Sequence, residues 1–194
     1  MNKEDLESCL GTIARSGTKH FVQDLKDSDK SSVDLIGQFG VGFYSVFMVA
    51  SKVEVLSRKA GEESGYLWSS DGSGSYEVSD MPKENAGTKI TLYLKDGEDF
   101  NDFTSEWSIE SIVRKYSEFV SYGIYLHHEP TKNDKGETET KETRLNDKPA
   151  LWRQSAKEIT EEQYKDFYPT VSHDGGEPLA WKHSHVEGSQ EFWT

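Results

Sequence analysis

The sequence predicts an α+β fold, with helices on one face of an antiparallel sheet, and three observations carry that reading. Apolar residues recur at helical spacing at the start, at Leu6, Cys9, Leu10 and Ile13. Short β-type runs fill the stretch from Lys52 to Leu94, and helical spacing returns after Ser105.

The first helix is expected over Met1 to Ser16. Asn2 can cap it, and Glu4 and Asp5 in its first turn favour the positive end of the helix dipole. A chain seldom opens one residue before a capped amphipathic helix, so coding sequence upstream is expected. Ser16-Gly17-Thr18 breaks the pattern, Thr18 can cap a second short helix carrying Phe21, Val22 and Leu25, and Asp27 to Ser32 is loop-like. Two short helices joined by small residues have the make-up of a lid over a ligand, and equally of an ordinary helical hairpin.

Ile36-Gly37-Gln38-Phe39-Gly40-Val41-Gly42-Phe43-Tyr44-Ser45 then runs into the apolar Val46-Phe47-Met48-Val49-Ala50. The three glycines describe a backbone that comes close to something before entering a buried helix. A phosphate suits that place, because free N–H groups at a helix start bind anions without Lys or Arg. The dinucleotide fingerprint does not fit, for no Gly-x-Gly-x-x-Gly follows an ordinary strand, and a P-loop lacks its Gly-Lys-Ser/Thr. The competing reading is a tight helix entry.

Lys52 to Arg58 alternates with period two, and Tyr66 to Ser69, Tyr76 to Ser79 and Thr88 to Leu94 are further strands separated by glycine-bearing turns. Asp71-Gly72-Ser73-Gly74 lacks the later acidic ligands of a calcium loop and reads as a hairpin turn. After Ser105, Trp107, Ile112, Val113, Tyr116, Phe119 and Val120 share a helical face. Residues 128–146 are charged and nearly without aliphatic side chains, as a flexible connector would be. A second unit is expected over 147–194, with Ala150-Leu151-Trp152 apolar, a helix over Glu158 to Tyr168 and a strand over Leu179 to Val186. It is too short for a core of its own and reads as truncated. His183 and His185 would share one side of that strand, as a metal pair or as ordinary solvent-facing alternation.

Composition sets outer limits. Asp and Glu number 35 against 22 Lys and Arg, a formal charge of −13 over 194 residues, and no basic patch offsets it. Nucleic acid and anionic membrane are therefore not expected partners. The lone cysteine, Cys9, excludes an internal disulfide framework.

Leu10 to Thr18, Ile36 to Ser45, Gly87 to Leu92 and Lys115-Tyr116-Ser117, in that order, closely resemble the heat shock protein 90 chaperone family. The match continues at Trp152, Ile159 to Tyr164 and Val186-Glu187-Gly188, and so covers nearly the whole chain. The short connector looks like the bacterial branch, whereas Ile13 to Gly17 and Ser70 to Gly74 look like the mitochondrial one, which leaves cytoplasm or mitochondrial matrix as the location.

The resemblance implies a two-layer ATPase sandwich of the gyrase, histidine-kinase and MutL type, incomplete here over residues 1–127, with its lid at about 3–32. A charged linker over 128–146 and the start of an α/β middle domain over 147–194 would follow. It implies ATP or ADP with Mg²⁺, client proteins and a homodimer in the complete protein. Carried over by position, Gly37, Gln38, Phe39, Gly40, Val41, Gly42 and Phe43 would surround the phosphates, Thr88 would lie by the adenine, and Met1, Leu10 and Arg15 match pocket positions. Cys9 stands where the family usually has Asn, and Arg15 where it has Lys. The family's general-base Glu, Mg²⁺-binding Asn and adenine-reading Asp have no counterpart in the sequence, so the catalytic residues stay unassigned. ATP turnover by these 194 residues alone is not expected, and marginal stability is. The alternatives are a non-hydrolysing protein-binding module and another ATPase of the same superfamily.

Overall fold

The computed structural model describes residues 1–18, 36–132, 138–148, 150–172, 175–186 and 192–193. They belong to two compact units, Met1–Asn101 and Asp102–Thr194. Both mix helices with antiparallel strands, the α+β class read from the sequence. The helix expected at Phe21, Val22 and Leu25 and the loop at 27–32 lie outside the described residues.

In the first unit, helix α1 (Lys3–Leu10) starts on a reciprocal cap. The Asp5 N–H donates to Asn2 Oδ1 at 3.0 Å, and the Asn2 N–H donates to Asp5 Oδ2 at 3.1 Å. The helix ends six residues before the expected stop at Ser16. Gly11 closes it against the Tyr76 ring, where any Cβ would collide, and Ile13 is left 72% exposed beyond the last turn.

Strands β1 (Ala50–Arg58), β2 (Gly65–Ser70), β3 (Glu77–Asp80) and β4 (Gly87–Leu94) form one antiparallel sheet in the order β3-β2-β1-β4. The four expected strands are present to within a residue or two. An irregularity between Ala50 and Lys52 inserts one residue, so Ala50 and Val53 both face inward although an odd number of steps separates them. From Val53 onward the alternation is regular, with Val53, Val55 and Ser57 buried.

Leu6, Ala50, Val53, Val55 and Trp68 make the core of this unit, with Leu10, Phe43, Val46 and Phe47 packed against it. Burial of each large side chain contributes roughly 1.5–3 kcal/mol. The covering stops short of β4. Ile90 and Leu92 sit opposite Val55 and Val53 on the core face, yet they remain 49% and 39% exposed.

The second unit holds helix α2 (Glu106–Ser117), capped by Ser105, whose side chain accepts from the Ser108 N–H. Its face is less covered than expected, for Trp107 and Tyr116 are 77% and 72% exposed. The stretch with connector composition is paired over part of its length. Strand β5 (Tyr125–His127) lies antiparallel to β8 (Glu142–Arg144), and β6 (Thr131–Lys132) to β7 (Thr138–Glu139). Asn146 locks this arrangement, its Nδ2 donating to the Val120 and Tyr122 carbonyls and its Oδ1 accepting from the Ile124 N–H.

Helix α3 (Glu161–Ser172) follows, starting three residues later than expected, and β9 (His185–Val186) pairs with β10 (Phe192–Trp193). The strand expected over Leu179 to Val186 is real only at its last two residues. Leu151 and Ile159 are buried, and Phe119, Trp152 and Phe167 pack ring against ring at 4.7–5.8 Å.

Candidate functional site

The glycine loop of the first unit is positioned from both sides. On its C-terminal side the chain enters a 3-10 helix, Gly42–Met48, with none of its residues fully buried, where a buried helix was expected. The reason is at hand: β1 begins at Ala50, which leaves the apolar run too short for an α-helix, and the run instead packs obliquely onto the sheet. Phe43 meets Trp68 edge to face at 5.7 Å. Lys95 Nζ donates to the Phe47 and Met48 carbonyls at 2.8 and 3.3 Å and closes the helix end.

On its other side the loop is fastened to the segment after α1. Ser16 Oγ donates to the Gly37 carbonyl at 2.7 Å, and Thr18 Oγ1 lies 3.5 Å from the same oxygen. Gly37 and Gly40 have φ of +86° and +65°. At Gly40 a Cβ would also run into the Arg15 backbone, so this glycine is required twice over, by conformation and by space. Tyr44 reaches back to donate to the Leu10 carbonyl at 3.0 Å.

Loop, 3-10 helix and post-helix segment thus form one piece. Ile36, Gln38, Phe39 and Val41 point to solvent, Phe39 at 80% exposure. The backbone, not a set of converging side chains, is what this loop offers a ligand.

The structure therefore gathers Leu10, Arg15 and the Gly37 to Phe43 segment in one place. Leu10 also lines a cavity of about 180 Å³ with Tyr44, Phe47, Trp68 and Tyr76. Met1 and Thr88 form a separate group. The Met1 nitrogen donates to Ser57 Oγ at 2.8 Å, and Ser57 Oγ lies 2.8 Å from Thr88 Oγ1, at the sheet end where β1 pairs with β4.

Sequence reading passed over Ser16, Tyr44 and Trp68. Ser16 and Tyr44 act through hydroxyls on backbone carbonyls, which leave no periodicity to detect. Trp68 was within an expected strand, and only its 2% exposure marks it out.

Ionisation follows the packing. Burial raises the Tyr44 phenol above its ordinary value of 10, with the charge of neighbouring Cys9 adding to it. Burial alone would push the Asp5 carboxyl up as well. The Asn2 N–H and Lys59, whose Nζ is 3.1 Å away, outweigh it and hold Asp5 below 3.8.

Among the described residues no three His, Cys, Asp or Glu side chains converge on a metal position. His183 and His185 do not share a strand face, contrary to the expectation from the sequence. His183 lies outside the strand, its Nδ1 2.6 Å from the Tyr164 hydroxyl and its Nε2 3.3 Å from the Trp152 carbonyl. None of the helices among the described residues is long and apolar enough to cross a membrane.

Comparison with known proteins accords with this geometry. The sequence pattern of the family described as Hsp90 protein matches residues 127–194. Over its whole length the chain is 52% identical, across 194 residues, to the chaperone protein HtpG of Wolinella succinogenes, covering all of this chain and 31% of that protein. HtpG of Helicobacter hepaticus is 48% identical over 200 residues, covering 100% of this chain and 32% of the relative. HtpG of Escherichia coli O1:K1 / APEC is 45% identical over 194 residues, covering 99% and 30%.

The chain belongs to the Hsp90 family. It spans about a third of the length of the curated HtpG chaperones it matches.

Proposed function

We propose that the chain is part of an ATP-dependent molecular chaperone of the HtpG type, and that residues 36–43 grip the nucleotide's phosphates through backbone N–H groups. The observation that carries this is the doubly constrained Gly40. Its left-handed φ and its contact with the Arg15 backbone hold an exposed loop in one shape while leaving its outer side bare, as a surface built for a ligand requires. Continuous likeness to HtpG over the whole chain supports the same reading.

On it, residues 1–127 are the later part of an ATPase sandwich of the gyrase, histidine-kinase and MutL type, with the lid at about 3–32. Residues 128–146 link it to a middle domain that starts at 147. Met1 and Thr88 belong to the adenine side of the pocket, and Leu10 and Arg15 to its lid side. ATP or ADP with Mg²⁺ is the ligand of the complete chaperone, which works on client proteins as a homodimer. The bacterial relatives favour the cytoplasm over a mitochondrial matrix.

Exchanging the matching residues of Wolinella succinogenes HtpG for this chain tests the proposal. The chimera is expected to turn over ATP and to hold a heat-denatured enzyme in solution as the parent does, and Gly40→Val in the chimera is expected to abolish turnover. A chimera that folds and suppresses aggregation but is indifferent to Gly40→Val would overturn the role given to the loop.

A further inference from the structure

We infer that Ser16 is a positioning residue that sets which way the Gly37–Gln38 peptide faces, and through it the direction of the loop's first N–H donor. The inference rests on the phosphate-gripping reading above for its purpose, but not for its geometry.

Ser16 Oγ donates to the Gly37 carbonyl at 2.7 Å and accepts from the Thr18 N–H at 3.2 Å, while Thr18 Oγ1 stands 2.8 Å from it. The hydroxyl is thus held from behind by the Thr18 N–H, and its single hydrogen has two acceptors in reach, the Gly37 carbonyl at 2.7 Å and Thr18 Oγ1 at 2.8 Å. No peptide bond in the described residues is cis, so the C=O of Gly37 and the N–H of Gln38 point to opposite sides of a planar unit. Drawing that carbonyl onto Ser16 turns the Gln38 N–H away from the Arg15–Thr18 segment. The same N–H finds no acceptor among the described residues.

Gly37 lies at φ +86°, where an added Cβ would meet nothing within 4 Å. No side chain at position 37 therefore restrains the ψ rotation that turns this peptide. A glycine has little intrinsic preference between its accessible backbone regions, so one hydrogen bond of ordinary strength is enough to choose between two peptide orientations. Gly40 differs, since the Arg15 backbone already wedges it. The loop has one fixed pivot and one that depends on a hydroxyl.

The test uses the 194-residue chain and the variants Ser16→Ala and Ser16→Thr. Without nucleotide, ¹⁵N relaxation should give Gln38 an order parameter in the rigid range near ~0.85 in the parent, falling to ~0.6 or below in Ser16→Ala and recovering in Ser16→Thr. In binding titrations on the Wolinella succinogenes HtpG chimera that carries this chain, Ser16→Ala should weaken ADP about tenfold and leave adenosine unchanged, since only the phosphates meet the turned donor. A Gln38 as rigid in Ser16→Ala as in the parent, or one already mobile in the parent, overturns the inference. So does equal weakening of ADP and adenosine. A chimera that binds neither ligand counts against the phosphate reading, and the relaxation data still decide the role of Ser16.

Discussion

Tyr44 donates its phenol hydrogen to the Leu10 carbonyl at 3.0 Å, a bond that joins residues 34 apart and ties the last turn of α1 to the 3-10 helix behind the glycine loop. The carbonyl is one that a helix end leaves without an internal partner, so the phenol caps α1 as well as crossing to it.

Tyr44→Phe keeps the ring and removes only that bond. It should lower unfolding free energy by about 1 kcal/mol, read by urea denaturation. A pH effect accompanies it. The folded pKa of Tyr44 lies above its ordinary 10, so its contribution is complete below pH 10 and is lost as pH climbs through the raised value. The parent should therefore show an alkaline loss of stability that Tyr44→Phe reduces.

Gly40→Ala and Gly42→Ala form a matched pair three and five residues beyond Gly37. At Gly40 the new Cβ meets Arg15 backbone at φ +65°, whereas at Gly42 it meets nothing within 4 Å. The first should cost about 1–3 kcal/mol and raise amide exchange in residues 11–18, and the second should change stability by less than about 0.5 kcal/mol. Equal effects would show that the loop does not rest on the Arg15 segment.

Leu6 is fully buried and is the residue by which α1 holds the sheet. Leu6→Ala should cost about 2–5 kcal/mol. Among the described residues the core around it has four other buried members, Ala50, Val53, Val55 and Trp68, so loss of a cooperative thermal transition for the first unit is the expected result.

Asn2 and Asp5 answer to acid. Because Asp5 is held below 3.8 when folded, its contribution is present above that value and is lost as pH falls through the depressed one. Asp5→Asn should flatten the acid limb of a stability profile. Asn2→Ala, which removes the side-chain cap but keeps the backbone N–H that lowers Asp5, should cost about 1 kcal/mol at neutral pH and leave the acid limb in place.

These elements differ in how far the sequence disclosed them. The β1 strand was legible because Val53, Val55 and Ser57 alternate inward, and the start of α1 because Asn2 and Asp5 cap each other locally. The end of α1 was not, since it is decided by Tyr76, 65 positions after Gly11 and on the far side of the sheet's turns. The pairing of β5 with β8 hides in polar residues whose hydrogen bonds come from the backbone and from Asn146, which hydropathy cannot register. At the site, the glycine spacing marked the loop itself. What fastens it, the Ser16 and Tyr44 hydroxyls and the Arg15 backbone, is long-range contact by small or unremarkable groups.

Trp68 gives this unit an optical handle. Its indole is 2% exposed, edge-on to Phe43 at 5.7 Å and stacked on Tyr76 at 6.0 Å, whereas Trp107 in the other unit is 77% exposed. A water-borne quencher such as iodide will silence Trp107 and leave Trp68 emitting. With Trp152, Trp181 and Trp193 replaced by Phe, the residual blue-shifted light then watches the contact between the 3-10 helix and the sheet in unlabelled protein, in real time.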